Sequence, residues 1–268
     1  MSCDFSNHLT QPFKKGRISF GNDVRLLGIF CFGNNENPTA LDSVYSSYKG
    51  QLLDKTVFDH ASTPIWFKLE EVIPAWGKIF PLFKTGDFVE NTSTGIVSYS
   101  GYGAGVMFVP SGLGYYNIEK ALIPAYSPLI FTFSLKRLRY RDHDGDKILS
   151  KYEYGPDLAE EAIDTDGDDY YDYLDVDDDA DGVLTKEEVK FTYVDGTVTK
   201  TGYYPYTGKS IDDPLTPYDD RRGIPRKFTG PIVPPSTLPS PASDDSDFTD
   251  ATRLRRHLDK TCKPPYTN

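Results

Sequence analysis

Short apolar runs, each closed by polar or turn-forming residues, dominate the chain from residue 43 to residue 135. Val44-Tyr45-Ser46-Ser47-Tyr48, stopped by Lys49-Gly50, reads as a strand. Thr56-Val57-Phe58 and Ile65-Trp66-Phe67-Lys68-Leu69 read as two more, because β-branched and aromatic side chains suit a pleated, half-buried surface. Residues 70–76 look like the start of a short helix. Val106-Met107-Phe108-Val109 and Leu129-Ile130-Phe131-Thr132-Phe133-Ser134-Leu135 complete the set. Many short strands with one short helix predict an α+β domain dominated by an antiparallel sheet. Residues 1–36 show no clear period and run into an Asn-rich turn at Gly33-Asn-Asn-Glu-Asn-Pro38. Within them Leu26-Leu-Gly-Ile-Phe-Cys-Phe32 reads as a core strand or an unordered stretch. It lies too late, and lacks the small-residue cleavage pattern, for a signal peptide.

The pattern ends where acidity begins. The chain has a formal net charge of -11, yet residues 141–188 hold nineteen Asp and Glu against four Lys and Arg. That one block outweighs the net charge of the whole chain, so bulk charge says little about partners. No basic patch points to nucleic acid. Past residue 203 composition changes again: eleven of the twenty prolines fall there, many within residues 230–241. Such a stretch builds no core and reads as an extended linker or disordered tail. Residues 252–260 read as a solvated, at most weakly helical, end. Cys3, Cys31 and Cys262 form no metal or disulfide framework. No apolar run reaches the roughly 18 residues of a membrane span.

Four motifs then occur in a telling order. Tyr48, followed by Gly50, precedes Leu53-Asp54-Lys55-Thr56-Val57-Phe58-Asp59. Residues 64–69 lead to Val72-Ile73-Pro74-Ala75-Trp76. Pro110-Ser-Gly-Leu-Gly-Tyr115 follows, and Leu122-Ile123-Pro124-Ala125-Tyr126-Ser127-Pro128-Leu129-Ile130-Phe131 comes last. Together they resemble the FKBP-type peptidyl-prolyl cis/trans isomerases over about residues 43–136. The resemblance implies an antiparallel sheet wrapped on one short helix, and an activity that needs no nucleophile. It implies a pocket floored by Trp76 and walled by Tyr48, Phe58, Val72, Ile73, Ile123 and Phe131. The backbone N–H of Ile73 and the hydroxyl of Tyr115 would donate to peptide carbonyls, with Asp59 at the rim. Against the family pattern, Ala75 and Tyr116 stand where glycine is usual, Ile65 where an aromatic is common, and the stretch from Trp76 to Pro110 is long. Its Gly101-Tyr-Gly-Ala-Gly105 is a candidate flap.

The acidic block repeats a twelve-residue spacing. Oxygen-bearing residues at positions 1, 3, 5, 9 and 12, with a backbone carbonyl at 7, are the pattern of a calcium loop, since calcium takes six to eight oxygens flexibly. The first loop offers Asp142, Asp144, Asp146, Ile148, Ser150 and Glu153; the third offers Asp177, Asp179, Asp181, Val183, Thr185 and Glu188. The second, weaker because it ends in Asp, offers Asp164, Asp166, Asp168, Asp172 and Asp175. Lys147 departs from the expected glycine at position 6, which Gly182 meets. Asp175 and Asp177 leave no room for a helix between the last two loops, so the block resembles thrombospondin type-3 arrays more than a paired EF-hand sensor. A structural calcium role is expected, because charges this dense repel without metal.

The expected organisation is an unassigned segment at 1–36, an isomerase-like domain at 37–139, calcium loops at 140–190 and a Pro-rich, largely disordered tail at 191–268. The expected function is proline isomerisation on proline-containing polypeptide clients, by a monomer. The alternatives are a catalytically weak peptide-binding chaperone of the same fold and a calcium-stabilised surface spacer. Calcium loops point outside the cytosol, to a cell envelope or extracellular setting.

Overall fold

A computed structural model describes residues 14–20, 24–30, 33–154, 162–203, 206 and 256–263, with side chains for all of these except 14–30 and 191–195. The chain divides into two units, Met1–Tyr140 and Arg141–Asn268.

In the first unit the strands are β1 (Lys14–Phe20), β2 (Val24–Phe30), β3 (Ser43–Gln51), β4 (Val57–Lys68), β5 (Asp87–Glu90), β6 (Val97–Ser100), β7 (Gly103–Val109) and β8 (Leu129–Arg139). Six of them form one sheet in the order β1-β2-β7-β8-β3-β4, and β5 pairs with β6 apart from it. Every pairing is antiparallel. The alternation in β8 is the clearest cause of the fold: Leu129, Phe131, Phe133 and Leu135 all turn inward. Helix α1 (Pro74–Ile79) lays Ala75, Trp76 and Ile79 into the same core. Proline at the first helical position lacks only an N–H that would go unused there.

Strand β4 runs unbroken through the stretch between the two short strands expected at 56–58 and 65–69. It is the last strand in the sheet order, so Pro64 is tolerated at an edge that donates few ladder bonds. Within residues 1–36 the strand read at 26–32 appears as β2, slightly earlier in the chain; β1 and β2 form a hairpin, and β2 joins the sheet through Arg25 opposite Phe108 and Leu26 opposite Met107. The long stretch between Trp76 and Pro110 holds the β5–β6 hairpin. The glycines of the expected flap instead turn the chain, with Gly101 at φ +61°, and open β7.

In the second unit each acidic loop leads to short structure: α2 (Ser150–Glu153), a single turn at Asp172–Leu174, and α3 (Thr185–Glu188). Beyond it β9 (Lys190–Asp195) and β10 (Val198–Tyr203) form a hairpin, closed by Gly196 at φ +65°. Chain structure therefore continues past residue 190, where a disordered tail was expected; the β-branched residues around Asp195-Gly196 make a hairpin there. The last described segment also differs from a solvated end: Arg256, His257 and Cys262 are buried, and the Tyr206 ring meets His257 edge-on at 4.6 Å. The Pro-rich residues 230–241 lie outside the described residues. No helix among the described residues is long and apolar enough to cross a membrane.

Candidate functional site

Trp76 holds the centre of an aromatic cluster. Phe80, one helical turn on, stacks against it at 4.9 Å and 13°. Tyr48, Phe67 and Phe131 meet it edge-on at 5.3, 5.2 and 5.4 Å. Strand register brings them together, since Tyr48 lies on β3 beside β8, and Gly50 sits opposite Phe131. Offset and edge-on ring pairs of this kind each add about 0.5–1.5 kcal/mol beyond buried area. Trp76, Ile123 and Phe131 are buried, whereas Tyr48, Phe58, Val72, Ile73 and Tyr115 are part-buried against them. All the apolar residues expected in the pocket thus belong to one cluster, with the first three at its base and the others reaching solvent.

Polar groups stand at the edge of that cluster. The Tyr48 hydroxyl donates to Asp59 Oδ2 at 2.5 Å. Burial, then the hydrogen bond and charge of Asp59, push the Tyr48 phenol well above its usual pKa. The Tyr115 phenol is also raised, by burial first and by the Asp59 charge second. Asp59 therefore acts electrostatically on both hydroxyls. Among the described residues the Tyr115 hydroxyl and the backbone N–H of Ile73 make no hydrogen bond. Ile73 precedes α1 in extended conformation as its N-cap.

Phe67 was not among the residues expected here. The run Ile65-Trp66-Phe67 carries no alternation that would single it out: Ile65 and Trp66 are both exposed, and Phe67 is the residue of that run that reaches Trp76. The two glycine replacements are accommodated. Ala75 is fully buried in the core. Tyr116 takes a left-handed φ of +51°, turns outward, and packs edge-on against exposed Tyr126 at 5.4 Å. That conformation costs roughly 1–2 kcal/mol in a residue with a Cβ.

The three acidic loops share one hydrogen-bond pattern. The position 1 carboxylate accepts the N–H of position 6: Lys147 onto Asp142, Asp169 onto Asp164, and Gly182 onto Asp177. Position 3 accepts from position 5, and position 5 from position 7. Positions 4 and 6 are left-handed throughout: Gly145 and Lys147, Gly167 and Asp169, Ala180 and Gly182. Lys147 thus adopts, at φ +89°, the conformation for which glycine was expected.

The expected ligands at position 9 take part in this pattern as well. Ser150, Asp172 and Thr185 at position 9 accept the backbone N–H of position 2, from His143, Thr165 and Asp178. Asp172 uses its other oxygen on the Thr165 hydroxyl, so its carboxylate closes the loop from within. The groups whose carboxylate oxygens converge within 4.8 Å are Asp144, Asp146, Glu153 and Asp178; Asp164, Asp166 and Asp168; and Asp177, Asp179 and Asp181. Asp142 stands beside the first group and outside it. Asp175 lies outside the second group, its Oδ1 accepting from the N–H of Asp177. Glu188 is buried but outside the third, so the third loop gathers three carboxylates where four were expected.

The first group is the most buried. Asp146, Glu153 and Asp178 are 2%, 3% and 1% exposed. Burial, with repulsion from neighbouring carboxylates, pushes Glu153 up to about 11, Asp178 to about 10 and Asp146 to about 8. Carboxylates are kept so far from water at great cost unless a cation or protons accompany them.

Comparison with known proteins matches both halves. Residues 34–136 match the family FKBP-type peptidyl-prolyl cis-trans isomerase, and residues 139–218 match the family BamM C-terminal. A protein of Neisseria meningitidis serogroup B, named "Probable FKBP-type peptidyl-prolyl cis-trans isomerase FkpA", is 31% identical over 96 residues, which are 35% of this chain and 35% of that relative. The chain therefore spans about a third of the length of that relative. A crystal structure of a peptidyl-prolyl cis-trans isomerase from Pseudomonas syringae pv. tomato is 23% identical, with a TM-score of 0.38, covering 48% of this chain and 83% of its own. That of FkpA from Escherichia coli is 26% identical, with a TM-score of 0.38, covering 47% and 53%.

Proposed function

We propose, from the match of residues 34–136 to the FKBP-type peptidyl-prolyl cis-trans isomerase family, that this chain accelerates rotation about X-Pro bonds in polypeptide clients. An amide loses resonance as it twists, which sets a barrier of about 18–20 kcal/mol. The twisted form has a less polarised carbonyl, so a dry aromatic cage favours it over the planar ground state. A ten-thousand-fold acceleration corresponds to about 5.5 kcal/mol of differential stabilisation. The proline ring rests on the Trp76 side of the cluster, between Tyr48, Phe58, Phe67 and Phe131. The Ile73 N–H and the Tyr115 hydroxyl donate to client carbonyls, and Asp59 holds the Tyr48 hydroxyl.

The observation that carries this reading is the coincidence, on one aromatic floor, of two donors without hydrogen bonds to described residues, the Ile73 N–H and the Tyr115 hydroxyl. Ala75 packs within the core and Tyr116 turns outward, so neither departure from the family pattern supports the alternative reading as a catalytically weak peptide-binding chaperone. The test is cis-to-trans exchange of a proline tetrapeptide, with Tyr115→Phe as the diagnostic variant. A normal rate in that variant would remove Tyr115 from the mechanism.

The second unit is proposed to bind calcium as a structural ion. Three loops of one geometry and buried carboxylate oxygens without partners support this reading. The ion would be held by the converging aspartates of each loop and by Glu153. Calorimetric titration of the full chain tests it: millimolar calcium giving neither heat nor a rise in melting temperature would reduce the block to an acidic linker.

A further inference from the structure

The third loop differs from the other two at its second position. His143 and Thr165 hold that place in the first and second loops, and Asp178 holds it in the third. In each loop the backbone N–H of this residue caps the position 9 side chain, which fixes the residue's direction. For Asp178 the result is a carboxylate turned away from its own loop's aspartates. It converges instead with Asp144, Asp146 and Glu153 of the first loop, all four oxygens lying within 4.8 Å of one another. Asp178 is 1% exposed, and neither of its carboxylate oxygens has a hydrogen-bond partner. One oxygen each of Asp144 and Asp146, and both of Glu153, share that condition.

We infer that Asp178 is a ligand of the first loop's cation, so that one ion is held jointly by the first and third loops. The inference rests on the proposal that these loops bind calcium. Four carboxylates at one point offer the anionic, all-oxygen set that suits a hard divalent cation accepting six to eight oxygens. The arrangement also explains the unequal fit of the loops. The first has its own Glu153 in place and gains a fourth carboxylate. The third contributes Asp178 to its neighbour while its Glu188 stays outside its own group. Because the shared ion ties residues 144–153 to residue 178, its binding fastens the first loop to the third. That is coupling through a ligand shared between segments, which no single loop supplies.

The experiment is calcium titration of the full chain by calorimetry, with melting temperatures in calcium and in chelator. The variants are Asp178→Asn, Asp146→Asn in the first group and Asp181→Asn in the third. If Asp178 serves the first ion, Asp178→Asn weakens the same binding event as Asp146→Asn, by at least tenfold, and leaves the event lost in Asp181→Asn intact. The near-isosteric amide keeps the backbone cap onto Thr185, so Asp178→Asn should melt lower than wild type in calcium but no lower in chelator. A purely structural role would lower both. A variant that follows Asp181→Asn, or that binds like wild type, overturns the shared ligand and leaves calcium binding standing. A wild type that binds no calcium overturns both readings.

Discussion

Gly50 is where the aromatic cleft can be disturbed with the least chemistry. It lies on β3 opposite Asp59 and Phe131, with the Phe58 and Phe131 rings close against it. A methyl group there would sit 2.5 Å from Phe58 Cε2 and Cζ and 2.8 Å from Phe131 Cε1. Carbon atoms rest at about 3.5–4.0 Å, so the rings must retreat by about 1 Å. Phe131 has little room, being 4% exposed and edge-on to Trp76 at 5.4 Å and to Phe58 at 5.5 Å. Phe58, part-buried, has room and should swing out. Overpacking of this kind costs about 1–3 kcal/mol, or roughly 4–8 °C of melting temperature per kcal/mol for a domain of about this size. Losing one wall by about 1 Å should lower kcat/KM on a proline tetrapeptide by up to about a hundredfold. The diagnostic assay is a double-mutant cycle. In a Phe58→Ala background Gly50→Ala should cost far less of both stability and rate, because its main clash is gone. Equal costs in the two backgrounds, or Gly50→Ala with wild-type melting and activity, would refute the packing argument.

Three further outcomes follow from the same geometry. Trp76→Ala should cost about 3–5 kcal/mol of a total near 5–15 and so confuse unfolding with inactivity; Trp76→Phe should stay folded by circular dichroism yet lose most of its isomerase rate. Asp59→Asn should bring the Tyr48 phenol back down toward its usual pKa, visible as an earlier phenolate absorbance in an alkaline titration. Because that pKa is raised in the folded state, its contribution to stability is complete below about pH 10 and is lost as pH rises beyond it, and Asp59→Asn should blunt this loss in urea melts. The raised carboxyls of Asp146, Asp178 and Glu153 have the same sign: their metal-free contribution is full below about pH 4 and is lost as pH climbs to about 8, 10 and 11 respectively. Calcium must displace the protons they hold, so calorimetry in buffers of different ionisation enthalpy should show proton release near pH 7, and calcium affinity should fall as pH is lowered.

The strands that build the cleft are legible in the sequence because one face of each is buried and the other is not. In β8 the period of two runs from Leu129 to Leu135, and in α1 Trp76 and Ile79 mark one side of the helix. Strand β4 is harder to read: it lies at the sheet edge, carries Pro64, and shows two register shifts against β3, so its middle residues lose their alternation. Phe67 was hidden by the same irregularity. In the acidic block the loop spacing is a local property and appears in sequence, as the left-handed turns shared at position 4, by Gly145, Gly167 and Ala180, show. Which carboxylates meet is not local. The fate of position 9 depends on an N–H seven residues earlier, and the meeting of Asp178 with Glu153 depends on how the loops pack. Spacing within one loop contains neither.

The central claim is that the cluster around Trp76 stabilises a twisted prolyl amide. The most direct measurement is the exchange rate of a tetrapeptide with a single X-Pro bond, in the presence of catalytic amounts of the full chain. Uncatalysed exchange takes tens to hundreds of seconds. The account predicts exchange faster by orders of magnitude, saturable in peptide, and strongly reduced by Trp76→Phe and Tyr115→Phe in folded protein. Exchange at the uncatalysed rate across several residues before proline, by protein whose melting shows an intact first unit, would contradict it.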